Sequence, residues 1–158
     1  MKISQNTKTK RISKILGACS LLVVLGLSAT ACGMVESFGR QTADAWSVTY
    51  EVSVTGGTVN GIDDVKYLEA PTRGEVSSEN AVGEVATTND PAKKRSATWQ
   101  ETVMVTAEEE AGVSAAPRAG ATATCRVLLD GVKEIAAVTG EPGKPVECAV
   151  STPAFAKK

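Results

Sequence analysis

The chain contains no histidine among its 158 residues, which removes at once the commonest general base and the commonest metal ligand. Serine–histidine and cysteine–histidine catalysis are excluded with it. No Cys-x-x-Cys, phosphate-cradling glycine loop or zinc-protease motif takes their place. Asp63 and Asp64 offer paired carboxylates for acid–base work, but adjacent carboxylates beside a turn are ordinarily solvated loop charges. Glu108, Glu109 and Glu110 offer oxygen ligands to calcium, without the spacing and the turning glycine that calcium loops use. Lys93, Lys94 and Arg95 could touch anionic headgroups at about 1 kcal/mol per charge, a small pull for an acidic domain. The expectation is a protein that is not an enzyme, with no catalytic residue, no metal and no cofactor.

The four cysteines carry the remaining chemistry. In Thr124-Cys125-Arg126-Val127-Leu128-Leu129-Asp130-Gly131, the residues Cys125, Val127 and Leu129 fall on one face of a period-2 strand. Val146, Cys148 and Val150 do the same further on, so both cysteines point toward one core. Asp130-Gly131 is a hairpin signal, because a type I′ turn needs positive φ at both central positions. Oxidised, the pair closes a loop of about 22 residues and contributes on the order of 3 kcal/mol, most simply by restricting the unfolded chain. That requires an oxidising compartment.

The start of the chain supplies one. Residues 1–14 carry Lys2, Lys8, Lys10, Arg11 and Lys14 with no acid, and an uncharged run follows from Ile15 to Val35. This is a basic region followed by an apolar one, as in an export signal. Its densest part, Leu21 to Leu27, is short for a membrane span, and Ser28-Ala29-Thr30-Ala31 leads directly into Cys32 and Gly33. These residues resemble a bacterial lipobox, with Ala29 where leucine is usual. The sequence therefore predicts a signal segment over residues 1–31 and a diacylglyceryl anchor on Cys32 at the outer face of the cytoplasmic membrane. Leu16-Gly17-Ala18-Cys19 is a better literal match but leaves only Ile15 and Leu16 as apolar core before it. An uncleaved anchor helix and ordinary cleavage after Ala31 stand as alternatives. With Cys19 removed and Cys32 lipidated, Cys125 and Cys148 are left to pair and no thiol is spare.

From Cys32 onward there are 127 residues with 12 basic and 18 acidic side chains, a net charge of −6. An acidic chain without a basic face is a poor partner for nucleic acid, whose affinity comes largely from phosphate neutralisation. The length suits one domain, and with few aromatic residues its core must be mostly valine, alanine and leucine.

Residues 32–46 read as a short lipidated tether. Ser47 to Thr55 alternates strictly, with Val48, Tyr50, Val52 and Val54 inward, and stops at Gly56-Gly57. A weaker strand covers residues 64–68. Residues 69–95 have no sustained period and read as a long loop or disordered insert. Strands are expected again over 98–106, where Glu101 interrupts an inward row of Trp99, Val103 and Val105, and over 112–116, 121–129, 133–138 and 146–150. About seven short strands, with no amphipathic helix after the signal, predict an all-β antiparallel sandwich over residues 47–151 and a tail over 152–158. Trp99 precedes both cysteines, unlike the Cys, Trp, Cys order of an ordinary immunoglobulin domain.

Taken together, Val48-Thr49-Tyr50-Glu51-Val52 with Gly56-Gly57, Trp99 before Thr102-Val103-Met104-Val105, the Cys125-Arg126 to Asp130-Gly131 string and Cys148 resemble the MmpS-like transport accessory family. The resemblance runs from about Ser47 to Val150. It implies an immunoglobulin-like β-sandwich, anchored in the actinobacterial envelope, that assists an RND-class, MmpL-type exporter of lipids or siderophores. This chain departs from the family in having Thr98 where a proline is frequent before the tryptophan, a long insert, and a lipid in place of a membrane helix.

On this reading Cys125 and Cys148 are structural. Trp99 is a core filler or an interface anchor, and Arg126, outward on its strand, pairs with an acid or meets a partner. The leading expectation is a non-enzymatic accessory lipoprotein. The alternatives are a module holding a small ligand between its sheets and a purely structural envelope protein.

Overall fold

Strict alternation makes Ala45–Gly56 (β1) the centre of the molecule: Val48, Tyr50, Val52 and Val54 are fully buried while the residues between them face outward. The structure, a computed structural model, describes residues 42–156. The expected signal segment, the lipidation at Cys32 and the tether up to residue 41 lie outside the described residues, as do residues 157 and 158.

Eight further strands follow among the described residues: β2 (Gly61–Glu69), β3 (Ser78–Ala86), β4 (Thr88–Asn89), β5 (Ser96–Thr106), β6 (Glu110–Pro117), β7 (Ala121–Leu129), β8 (Lys133–Thr139) and β9 (Val146–Ser151). They form two antiparallel sheets, ordered β4-β5-β1-β7-β8 and β3-β2-β6-β9, with no helix among the described residues. The expected all-β antiparallel sandwich is therefore the fold, with nine strands rather than about seven.

The interior is built from small and branched side chains. Ala111, Val113 and Ala115 of β6 and Ala121, Ala123, Cys125 and Val127 of β7 are all buried. Cys125 is bonded to Cys148 with their α-carbons 6.0 Å apart, which ties β7 in one sheet to β9 in the other.

Tyr50 makes the second crossing between sheets. Its hydroxyl donates to the Leu68 carbonyl at 2.6 Å and accepts from the Gly112 N–H at 3.1 Å. The ladder between β2 and β6 ends at Tyr67 and Val113. The next two backbone groups are thus joined through the phenol instead of directly. Burial pushes the Tyr50 phenol well above its ordinary value, against the smaller opposing effect of the Gly112 N–H.

Turn chemistry closes the strands as expected. Asp130 and Gly131 have φ of 51° and 70°, and the Val132 N–H returns to the Leu129 carbonyl at 3.0 Å, the positive-φ turn their types favour, in a connection one residue longer than a two-residue hairpin because Leu129 pairs with Lys133. Gly56 ends β1 at φ 78°, and a side chain on Gly57 would run into the backbone of Gly120 and Ala121, so the pair of glycines is needed at this crossing.

Two expectations are corrected. Residues 69–95 are not a featureless insert, since β3 and β4 lie inside them. β3 is the edge of its sheet, six of its nine residues are exposed, and Gly83 adopts φ 81° beside register shifts against β2. A strand with only Val85 packed on the core carries no apolar alternation to read. The tether also stops short of residue 46, because Ala45 and Trp46 belong to β1. The Trp46 indole donates to the Pro153 carbonyl at 2.7 Å and stacks on Phe155 at 4.1 Å, so the tail over 152–158 is docked at least as far as its ring.

Candidate functional site

The outward positions of β1, β5 and β7 make the most developed polar surface of the molecule. Alternation sends Thr49, Glu51 and Ser53 of β1 away from the core, beside Thr102, Gln100 and Thr98 of β5 and Leu128, Arg126 and Thr124 of β7. Each row is closed by cross-strand bonds. Thr49 and Thr102 hydroxyls lie 2.9 Å apart, Ser53 and Thr98 3.2 Å, and Thr124 and Thr139 2.9 Å.

Arg126 occupies the middle. Its Nε donates to Glu134 at 2.6 Å and its terminal nitrogen to Glu51 at 3.0 Å, while Gln100 donates to the other Glu51 oxygen at 2.7 Å. The Glu134 and Glu51 carboxylates hold the guanidinium above its already high ordinary value, so it is a permanent cation. β4 and the turn after it rise beside this surface. They border with it an open groove of about 830 Å³, lined by residues of β1, β4, β5 and β7, by Ala86 at the end of β3 and by Asp90, Pro91 and Lys93.

Trp99 is on the other side of the same sheet. It pairs across β1 with the buried Val52, is half-buried, and its ring lies 6.2 Å from Tyr67 of the opposite sheet. Trp99 and Arg126 both border the groove, but their side chains leave opposite faces of the sheet.

Cys125 and Cys148 are joined in the interior, as their strand faces predict. Cys32 lies outside the described residues. The weaker candidates have structural places: Asp63 accepts from Arg118 at 3.1 Å, and Asp64 sits at φ 51° in the β2 bulge, so they do not form a free acid–base pair. Glu108 turns the chain between β5 and β6 at φ 70°. Among the described residues, no group of three or more His, Cys, Asp or Glu is arranged to hold a metal ion. Lys93, Lys94 and Arg95 are exposed on the connection from β4 to β5, Lys93 at the groove wall.

The groove was not visible in the sequence, because its lining comes from five strands, four of them in one sheet whose order is not their order in the chain. The signal that existed was the run of hydroxyl residues at the polar positions of β1: Ser47, Thr49, Ser53 and Thr55. No family model matches the chain, and no curated protein matches it significantly.

Proposed function

We propose that the protein is a lipid-anchored, extracytoplasmic accessory domain that docks, without catalysis, on an RND-class exporter of the MmpL type that moves lipids or siderophores. The observation that carries this reading is the division of labour within the Cys125-to-Gly131 string. Cys125 bridges the sheets, Arg126 is turned outward in a charge cluster, and Asp130-Gly131 reverses the chain. The string that carries the family resemblance is thus used residue by residue, and the inter-sheet bridge and sandwich agree with what that resemblance implies.

Anchoring supplies the rest of the mechanism. From Cys32 to Asp44 the chain can reach at most about 45 Å, at about 3.5 Å per residue. A diacylglyceryl group on Cys32 confines the sandwich to that layer above the membrane, and this raises its effective concentration at any partner embedded there. A modest interface is then sufficient, and the bridged sandwich gives it a rigid platform.

The test is cross-linking of the native protein in its own cells, followed by detergent extraction and mass spectrometry of what co-purifies. An RND-class transporter enriched over a Cys32→Ala control is the expected result. The intact, membrane-held protein bringing down no transporter would overturn the accessory role, and an unmodified Cys32 in the same spectra would overturn the anchor.

A further inference from the structure

We infer that the groove on the outer face of the five-stranded sheet binds an uncharged oligosaccharide. This goes beyond the exporter reading and does not depend on it.

The first ground is the lining. The outer face presents Ser53 and Thr55 from β1, Thr98 and Gln100 from β5 and Thr124 from β7, with Thr88 of β4 opposite Thr98 at the border; Asn89, opposite the buried Ala97, meets the groove only at its edge. A hydroxyl both donates and accepts, and a carboxamide does the same through separate atoms. Sugar hydroxyls have the same dual character, so a saccharide laid along the groove meets a partner of either kind at each step. A simple ion, all donor or all acceptor, has no such need.

The second ground is charge. The charged residues of the lining are Glu51, Asp90, Lys93 and Arg126, two of each sign. Both Glu51 oxygens are occupied, by Arg126 and Gln100, and Arg126 is shared between Glu51 and Glu134. Asp90 accepts from the Ala92 N–H at 2.8 Å. On the floor, where Glu51 and Arg126 neutralise each other, an ionic ligand has little to gain and the hydroxyls are left to select, with Lys93 an exposed cation at the rim.

The third ground is rigidity. The Ser53–Thr98 and Thr124–Thr139 contacts hold the floor hydroxyls in pairs. Thr88 and Asn89 pair with Thr98 and Ala97, and the Asp90 N–H donates to the Ser96 carbonyl at 2.9 Å, which fastens the wall to the floor. Less rotamer freedom is then lost when a ligand is bound. The wall is the end of the segment over 69–95, to which the exporter reading assigns no role.

Trp99 borders the groove, but the register turns its side chain, like those of Tyr50 and Tyr67, to the inner face, so the outer floor offers no ring to stack on. Binding rests on hydrogen bonds exchanged with water, which are individually modest, so a short saccharide binds weakly and a polymer with many repeats gains by multivalency.

The test uses the full chain in detergent micelles, isotope-labelled for amide spectra, titrated separately with chitopentaose, maltopentaose, a neutral arabinan pentasaccharide and, as the charged control, a galacturonate pentamer. At least one neutral saccharide is expected to give saturable shifts centred on Thr88, Asn89, Thr98 and Thr124. Thr124→Arg, which fills the floor from an outward position, is expected to weaken that binding about tenfold, equivalent to about 1.4 kcal/mol, with the unfolding midpoint unchanged. Thr88→Val at the border is the second variant and is expected to weaken it at least about threefold, a smaller change because one hydrogen-bonding group is lost. No saturable shift with any neutral saccharide would overturn the proposal. So would shifts scattered outside the groove, binding unaltered in both variants, or tighter binding of the galacturonate pentamer.

Discussion

The hydroxyl of Tyr50 and the amide of Gly112 meet at 3.1 Å across the two sheets, and the same hydroxyl reaches the Leu68 carbonyl at 2.6 Å. Tyr50→Phe keeps the ring and strands both backbone groups in the interior. A buried donor or acceptor left without its partner costs about 1–3 kcal/mol. Equilibrium urea unfolding of the variant should show a loss in that range, and an unchanged midpoint would mean that the phenol carries no weight between the sheets.

The same residue sets a pH dependence. An unfolded tyrosine ionises near its ordinary value of 10.0, whereas the buried Tyr50 holds its proton above it. Above that pH the unfolded chain binds fewer protons than the folded one, so stability is complete below about pH 10 and falls as pH rises, by up to about 1.4 kcal/mol per pH unit. Tyr67, raised by burial and by Glu69 and Glu101, adds a fall of the same sign. Urea midpoints measured from pH 8 to 11 should decline less steeply in Tyr50→Phe than in the parent. Parallel slopes would count against the effect.

Reduction of the Cys125–Cys148 bridge should lower stability by about 3 kcal/mol, because the cross-link restricts the unfolded chain. Midpoints with and without reductant, beside a Cys125→Ala, Cys148→Ala double variant, measure it. The reduced protein should keep its sheet signal in dilute denaturant, since Tyr50 still joins the layers.

Much of the sandwich was legible because β1 and β7 are half-buried and alternate, and because Asp130-Gly131 has turn chemistry that needs no tertiary partner. β3 was not. Most of its side chains are exposed, with only Val85 packed on the core, and what makes it a strand is the hydrogen-bonding edge offered by β2. Trp46 looked like tether for a related reason: what fixes it is Pro153 and Phe155 at the far end of the chain. Glu101 read as a flaw in an apolar row, and the register places it opposite the buried Tyr50, half-exposed at its strand position. The Arg126 cluster was half-visible. Its outward direction follows from period 2, but Glu51 and Glu134 become neighbours only through the β1-β7-β8 order.

That cluster makes a further prediction. Arg126→Met removes the cation between two carboxylates, of which Glu51 is the more buried at 16% side-chain exposure. A partly exposed network of this kind contributes about 0.5–1 kcal/mol, and its loss should shrink in about 1 M salt, where exposed charges are screened. Glu134→Gln should cost less than Arg126→Met, since Arg126 retains Glu51. Urea midpoints of the three proteins at low and high salt decide it, and equal costs at both would show that packing of the Arg126 stem, not charge, is what is lost.

β1 is both the first strand and the middle of its sheet, held by eleven paired positions against β5 and nine against β7. A pull arriving through the residues before Ala45 acts along that strand. It loads both ladders in shear, all bonds together, as in a lap joint glued on two sides, where an edge strand would peel one bond at a time. Forced extraction of such a strand is governed by the rate of crossing the unfolding barrier and not by the equilibrium stability of the fold. Resistance to such a pull is therefore a property of the β1 ladders, separate from what a urea midpoint measures.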